Sequence, residues 1–210
     1  MRVILDLMEE RYGKEDASNQ GLNDPFRTLI GCVLSHRTRD ENSSRAAQNL
    51  FEDVEGPGDI LRMAPEELKT RIRCSGFYNQ KARNIRAICQ TLVEEHGGVV
   101  PSDRDALIDL HGVGPKTVDI VLSHAFASPA IAVDVHVATV ARRLGLVKSD
   151  AGPERVKEVL EGLVSPSKYM FADNAFVKCG KEFCRTRNPR CSECFISSFC
   201  DYYQQISRGS

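Results

Sequence analysis

The run Leu110-His111-Gly112-Val113-Gly114-Pro115-Lys116-Thr117 constrains this chain more than any other stretch. Gly112 and Gly114, one residue apart, let the backbone turn tightly and approach a ligand with no Cβ in the way. Pro115 suits the first position of a helix, where its missing N–H costs nothing. The pattern predicts a helix over Asp103–Leu110, a glycine turn, and a second helix over Pro115–Ala127. Unpaired N–H groups at such a turn and helix start, at the positive end of the helix dipole, form a cradle for phosphate. Lys116 stands beside that cradle as an amine, and Asp134 follows in Val133-Asp134-Val135-His136. A phosphate cradle, an amine and an acid together suggest chemistry on a nucleic acid.

The rest of the chain reads as helices. Val3, Ile4, Leu7 and Met8 share one face over Met1–Tyr12, and a polar stretch through Gly21 reads as a loop. Asn23-Asp24-Pro25 supplies a cap and a helix-starting proline. Behind it Phe26, Leu29, Ile30, Val33 and Leu34 form an apolar stripe. Helical spacing resumes at Ala46, Ala47, Leu50 and Phe51. Shorter helices are predicted over Asp59–Met63 and Pro65–Ile72. Lys81 to His96 is a longer one, with Ile85, Ile88, Leu92 and Val93 inward and Gly97 closing it. Asp134 is placed to cap a helix carrying Val137, Val140, Ala141 and Leu144. Further patterns fall at Pro153–Val164 and around Phe171–Phe183. No alternating strand and no fixed repeat is visible, so the fold class is all-α, with about ten helices joined by short loops.

Charge balance gives no hint of a polyanion partner. The 210 residues include 28 basic and 29 acidic side chains, for a net charge of -1. Nucleic-acid binding would have to rest on an uneven distribution of charge. The most apolar stretch, Ile120 to Val133, is interrupted by Ser123, His124, Ser128 and Pro129 and is too short to span a bilayer. The first turns, with Arg2, Asp6, Glu9, Glu10 and Arg11, lack a signal-peptide core. The expected setting is the cytosol, or the nucleus in a eukaryotic source, and the expected state a monomer.

Eight cysteines are many for a reducing compartment. Cys32, Cys74 and Cys89 lie among apolar residues and read as small buried hydrophobes, as does Cys179. The remainder form Cys184-x6-Cys191-x2-Cys194-x5-Cys200. Four thiolates so close together point to a metal. Zinc favours paired Cys-x2–4-Cys knuckles, and only Cys191 with Cys194 makes one. An iron–sulfur cluster also takes four thiolates, so spacing leaves both open, with the wide and unequal gaps favouring the cluster. Lys178, Lys181, Arg185, Arg187 and Arg190 crowd this block against Glu182. They read either as a solvated charge cluster or as a patch that holds backbone phosphates on a rigid scaffold.

Two loops carry weaker signals. Ser35-His36-Arg37-Thr38-Arg39-Asp40-Glu41-Asn42 is either a solvated loop ending in a helix cap or a loop presenting His36 and Arg37 to a polyanion. Arg73-Cys74-Ser75-Gly76-Phe77-Tyr78-Asn79 offers aromatics beside a glycine. Packing into the core is the simpler expectation for Phe77 and Tyr78, and stacking or wedging among bases the alternative.

Taken together, Leu-x-Gly-Val-Gly-x-Lys-Thr at 110–117, Ala132-Val133-Asp134-x-His136 and the cysteine block resemble the endonuclease III family of DNA repair glycosylases, in the helix-hairpin-helix superfamily. Leu34-Ser35 with Asp40, and Gly76-Phe77-Tyr78-Asn79 with Lys81-Ala82, resemble family segments too, so the likeness covers nearly the whole chain. The resemblance implies two helical lobes with an active cleft between them. One is a six-helix barrel with the hairpin, here 18–128. The other joins 1–17 to 129–210 and carries a [4Fe–4S] cluster, mainly structural, on Cys184, Cys191, Cys194 and Cys200, beside a basic loop that holds DNA.

The implied activity is removal of damaged, expectedly oxidised, pyrimidines from double-stranded DNA, followed by cleavage at the abasic site. Lys116 would attack the sugar of an extruded nucleotide and form a Schiff base, after which β-elimination nicks the strand. Asp134 would stabilise positive charge on the sugar or steer a proton. Gly112, Val113 and Gly114 would hold one strand, with Arg185, Arg187 and Arg190 contributing from the cysteine block. The chain departs from the common bacterial pattern at Arg37, where a glutamine usually fills the hole left by the extruded base, and at Phe77, usually aliphatic. With His36, these residues bear on which lesion and which opposite base are preferred. Rival readings are a thymine or uracil mismatch glycosylase, which usually lacks the lysine, and a catalytically silent DNA-binding module. An adenine-specific mismatch enzyme would carry a long C-terminal recognition domain.

Overall fold

The computed structural model describes residues 1–13, 23–126 and 128–208. Among the described residues all regular structure is helical, as the periodicity predicts. In chain order the helices begin with α1 (Arg2–Tyr12), α2 (Pro25–Ser35), α3 (Asp40–Leu50), α4 (Pro57–Arg62), α5 (Pro65–Arg71) and α6 (Tyr78–Glu95). They continue with α7 (Arg104–Ile108), α8 (Pro115–Ala125), α9 (Val135–Arg143), α10 (Pro153–Leu163), α11 (Tyr169–Glu182) and α12 (Asp201–Arg208). The chain divides into two compact units, Leu22–Ser128 and Met1–Gly21 with Pro129–Ser210.

The Leu22–Ser128 unit is built around α2. Asp24 caps that helix by accepting the Arg27 N–H at 2.6 Å, and Pro25 starts it. Its stripe of Phe26, Leu29, Ile30, Val33 and Leu34 is buried, against α3, α6 and α8. From α6 come Ile85, Ile88 and Leu92, and from α8 Val118 and Val121, all fully enclosed. Burying each large aliphatic side chain contributes roughly 1.5–3 kcal/mol. That outweighs the poor intrinsic stability of helices this short.

In the other unit α1 packs on α11, and α9 lies along α11 and α10. The core holds Met8, Val137, Ala141, Val156, Leu160, Phe176 and Cys179. The α9–α11 approach is close at Gly180, where a Cβ would stand 2.7 Å from His136 Cβ and 3.2 Å from its Cα.

Several local expectations are corrected. Helix α2 runs through Ser35 and α3 starts at Asp40, so the polar run leaves only His36–Arg39 outside helix, with Asp40 and Glu41 complementing the α3 dipole. Helix α6 starts at Tyr78 rather than Lys81, and Val93 points outward at 41% exposure. Phe77 is 65% exposed, against the expectation of core packing, whereas Tyr78 does pack on the core. Cys74 is only half-buried, unlike Cys32 and Cys89. The sequence reading does not include α12, whose stripe of Tyr202, Tyr203 and Ile206 is confined to an eight-residue helix directly after the cysteine block. The polar stretch from 14 to Gly21 and the end of the 115–127 helix at Ala127 lie outside the described residues.

Gly180→Ala would raise helix propensity in α11 by up to about 1 kcal/mol. The contact with the His136 backbone reverses the sign, and a net loss of about 1–3 kcal/mol is expected in chemical denaturation.

Candidate functional site

The glycine hairpin is assembled from α7, the turn and α8. Asp103 caps α7 by accepting the Ala106 N–H at 2.9 Å. Gly112 adopts φ +74, a conformation that favours glycine, and a Cβ there would displace the Asn84 amide, 2.7 Å away. Gly114 is the N-cap of α8 and Pro115 its first residue. Val113 does not offer its amide outward. It donates to Leu110 O at 3.0 Å, with its side chain buried.

Lys116 is exposed in the first turn of α8 and lines an open pocket of about 1130 Å³. His36, Arg37 and Phe77 line the same pocket, so the structure gathers four of the residues singled out in the sequence. Gln80, Lys81 and Asn84 complete it from α6. Sequence reasoning missed these three. Their spacing puts them on one face of a helix that begins at Tyr78, and the face emerges only once that start is placed correctly.

Arg37 and Phe77 both occupy left-handed backbone, at φ 50 and φ 57. Such a conformation costs a non-glycine residue about 1 kcal/mol or more. Their side chains meet, with the Arg37 guanidinium carbon 5.9 Å from the centre of the Phe77 ring. His36 Nε2 hydrogen-bonds the buried Thr117 hydroxyl at 3.2 Å. Partial burial of the ring, with the Lys81 and Lys116 side chains nearby, holds His36 below the usual imidazole range and therefore neutral at pH 7.

Beneath this surface lies Lys81, only 5% exposed. Its Nζ stands 2.7 Å from Leu34 O, 2.6 Å from His36 O, 2.8 Å from Thr38 Oγ1 and 2.8 Å from Ser75 Oγ. Burial brings the ammonium down to about 8, so it is largely protonated at pH 7.

Asp134, in the other unit, is the N-cap of α9. Its Oδ1 accepts the N–H groups of His136 at 2.7 Å and Val137 at 2.9 Å. Val135, the next residue, is 63% exposed.

Cys184, Cys191, Cys194 and Cys200 line one small pocket, with Cys179, Arg143 and Ile196. Among the described residues no three metal-ligating side chains converge on one point. Arg143 donates to Cys184 Sγ at 3.4 Å, to Cys184 O at 3.2 Å and to Arg185 O at 2.8 Å, and lies 4.7 Å over the Tyr202 ring. The Cys200 thiol donates to Arg143 O at 3.3 Å. Burial pushes the thiols of Cys184, Cys191 and Cys200 up, while the bond from the Cys179 thiol pulls Cys194 down.

The basic loop is less uniform than its sequence suggests. Arg185 and Arg187 are exposed, but Arg190 is ion-paired with Glu193, an acid the sequence reading did not weigh. Glu182 pairs with Arg11.

A hairpin turning on Gly112 at the head of an amine-bearing helix, within an all-helical chain, defines a helix-hairpin-helix protein. The profile of the HhH-GPD superfamily of base excision DNA repair proteins matches residues 30–166. Endonuclease III of Thermotoga maritima is 42% identical over 206 residues, covering 98% of this chain and 96% of that protein. A trapped endonuclease III–DNA covalent intermediate superposes with a TM-score of 0.88 at 34% identity, covering 99% of this chain and 97% of the other. A thermostable thymine-DNA glycosylase gives 0.86 at 25% identity, over 97% and 96% of the two chains. The chain belongs to the endonuclease III family and is a base excision repair DNA glycosylase.

Asparagine caps a helix as well as aspartate does, and alanine does not. Thermal unfolding is therefore expected to show Asp134→Ala destabilised by about 1 kcal/mol and Asp134→Asn close to the native protein.

Proposed function

We propose that the chain removes oxidised pyrimidines from double-stranded DNA and then nicks the strand, with Lys116 as nucleophile and Asp134 as the assisting carboxylate. The observation that carries this is Lys116, exposed at the start of a helix in a pocket it shares with His36, Arg37 and Phe77. The damaged nucleotide leaves the stack to reach the amine, at a cost of a few kcal/mol that is least for weakly paired lesions. The Lys116 nitrogen gives up a proton to solvent as it bonds to the sugar C1′, and the N-glycosidic bond breaks toward the base, which departs with the electron pair and takes up a proton. Ring opening leaves an iminium between Lys116 and C1′. Loss of a proton from C2′ then expels the 3′ phosphate and cuts the strand.

Asp134 stabilises the positive charge that grows on the sugar as the base leaves. Its two backbone hydrogen bonds keep the carboxylate oriented at the head of α9. The hairpin at Gly112 and Gly114 grips one DNA strand through backbone N–H groups, helped by the exposed Arg185 and Arg187. Arg190, tied to Glu193, contributes less. Arg37 and Phe77 enter the duplex and face the base left without a partner.

Cys184, Cys191, Cys194 and Cys200 are the residues that would hold a [4Fe–4S] cluster. The fit rests on four sulfurs bordering one pocket, with the Arg143 guanidinium donating to Cys184 Sγ, a contact that stabilises a thiolate. When bound, the group would act as a structural tie for the 184–200 segment. The Leu22–Ser128 unit is the barrel lobe of the family and the other unit its cluster lobe. The protein works as a cytosolic monomer.

Borohydride reduction with an abasic duplex tests the nucleophile. The native protein is expected to become covalently attached to DNA, Lys116→Ala to form no adduct, and Asp134→Asn to stay folded while losing about 10²–10⁴-fold in base removal. Absence of an adduct with the native protein would instead leave a monofunctional enzyme, such as a mismatch glycosylase. For the metal, purified protein is expected to be brown, with iron and acid-labile sulfide. A colourless, zinc-loaded and well-folded preparation would overturn the cluster.

A further inference from the structure

Lys81 is a buried cation that the proposed chemistry does not use. All four of its oxygen contacts belong to two loops, residues 34–38 and the turn at Ser75. Those loops touch independently as well. The Gly76 N–H donates to Thr38 Oγ1 at 3.0 Å, and Ser75 Oγ donates to Leu34 O at 2.9 Å. Approach is so close that a Cβ at Gly76 would stand 3.1 Å from Arg37 O. Each loop ends in a residue held in left-handed backbone, Arg37 on one and Phe77 on the other. Arg37 directly follows His36, whose carbonyl accepts from Lys81, and Phe77 directly follows Gly76, whose N–H donates to Thr38 Oγ1.

We propose that Lys81 is a positioning residue, whose ammonium locks the 34–38 loop onto the Ser75–Phe77 turn so that Arg37 and Phe77 enter DNA as one stacked wedge. This rests on the reading that the protein extrudes a nucleotide from duplex DNA. An ammonium carries three donors on one small atom, and these carbonyl and hydroxyl oxygens converge on a single point, which a planar guanidinium would not match. A methylene-thioether of similar length would fill the space and leave the oxygens unpaired. The loops would then separate, and the Arg37 guanidinium would lose its place over the Phe77 ring.

Lys81→Met separates this role from general stability, because only a base-paired substrate needs a wedge. Borohydride trapping is compared on an abasic duplex and on the same abasic strand alone. In a second measurement, 2-aminopurine opposite the abasic site reports whether the orphaned base is unstacked on binding. Trapping on duplex is expected to fall about tenfold to a hundredfold further than trapping on single strand, with the 2-aminopurine response lost. Equal losses on the two substrates, or a native 2-aminopurine response in Lys81→Met, would overturn the proposal. Should Lys81→Met fail to fold, Thr38→Val removes one Lys81 contact and the Gly76 tie, and the same duplex-selective loss is required of it. The fluorescence change involves no covalent step, so it decides the role of Lys81 even if the native protein forms no adduct.

Discussion

A single ammonium held away from water organises the surface on which the proposed chemistry takes place. An unpaired buried charge is worth several kcal/mol of destabilisation, and this one persists because backbone and hydroxyl oxygens from two loops surround it. The arrangement works in both directions. The oxygens stabilise the cation, and the cation holds the carbonyl groups of Leu34 and His36, which accept no N–H within α2. Left-handed backbone at Arg37 and Phe77 survives because the loops around it are tied at several points. An exposed aromatic stacked with an arginine is thereby kept at the rim of a pocket instead of collapsing onto the core.

Helix starts supply the other working groups. Lys116 sits in the first turn of α8, directly after a turn whose left-handed backbone at Gly112 favours glycine. Asp134 sits at the head of α9, where the plain structural role and the proposed chemical one coexist. One carboxylate oxygen satisfies two helix N–H groups, which fixes the orientation of the other. Loss of the acid therefore has a stability component, and asparagine is the substitution that removes it from the comparison.

The thiol chamber shows the same economy of elements. Arg143, at the end of α9, reaches the sulfur of Cys184 and the carbonyls that follow it, so the helix that begins at Asp134 ends against the cysteine block. Within the 184–191 loop Arg190 is paired with Glu193, whereas Arg185 and Arg187 are exposed, as are Lys178 and Lys181 at the end of α11.

Motif chemistry and helical periodicity determined a great deal by themselves: the all-helical class, the hairpin, the caps at Asp24 and Asp134, and the candidate nucleophile, acid and thiols. These are local properties, set by backbone preferences and by spacing along one helix. Other features lay beyond them. That Phe77 faces solvent while Tyr78 is packed, that Gln80, Lys81 and Asn84 join the Lys116 pocket, and that Arg190 is paired were decided by tertiary structure. Each depends on which distant segment lies opposite, residues 34–38 across from 75–77 above all, and no spacing within one helix encodes that partner. Lys81 is the clearest case: in the sequence it is a polar residue near a helix start, and only the fold surrounds it with oxygens.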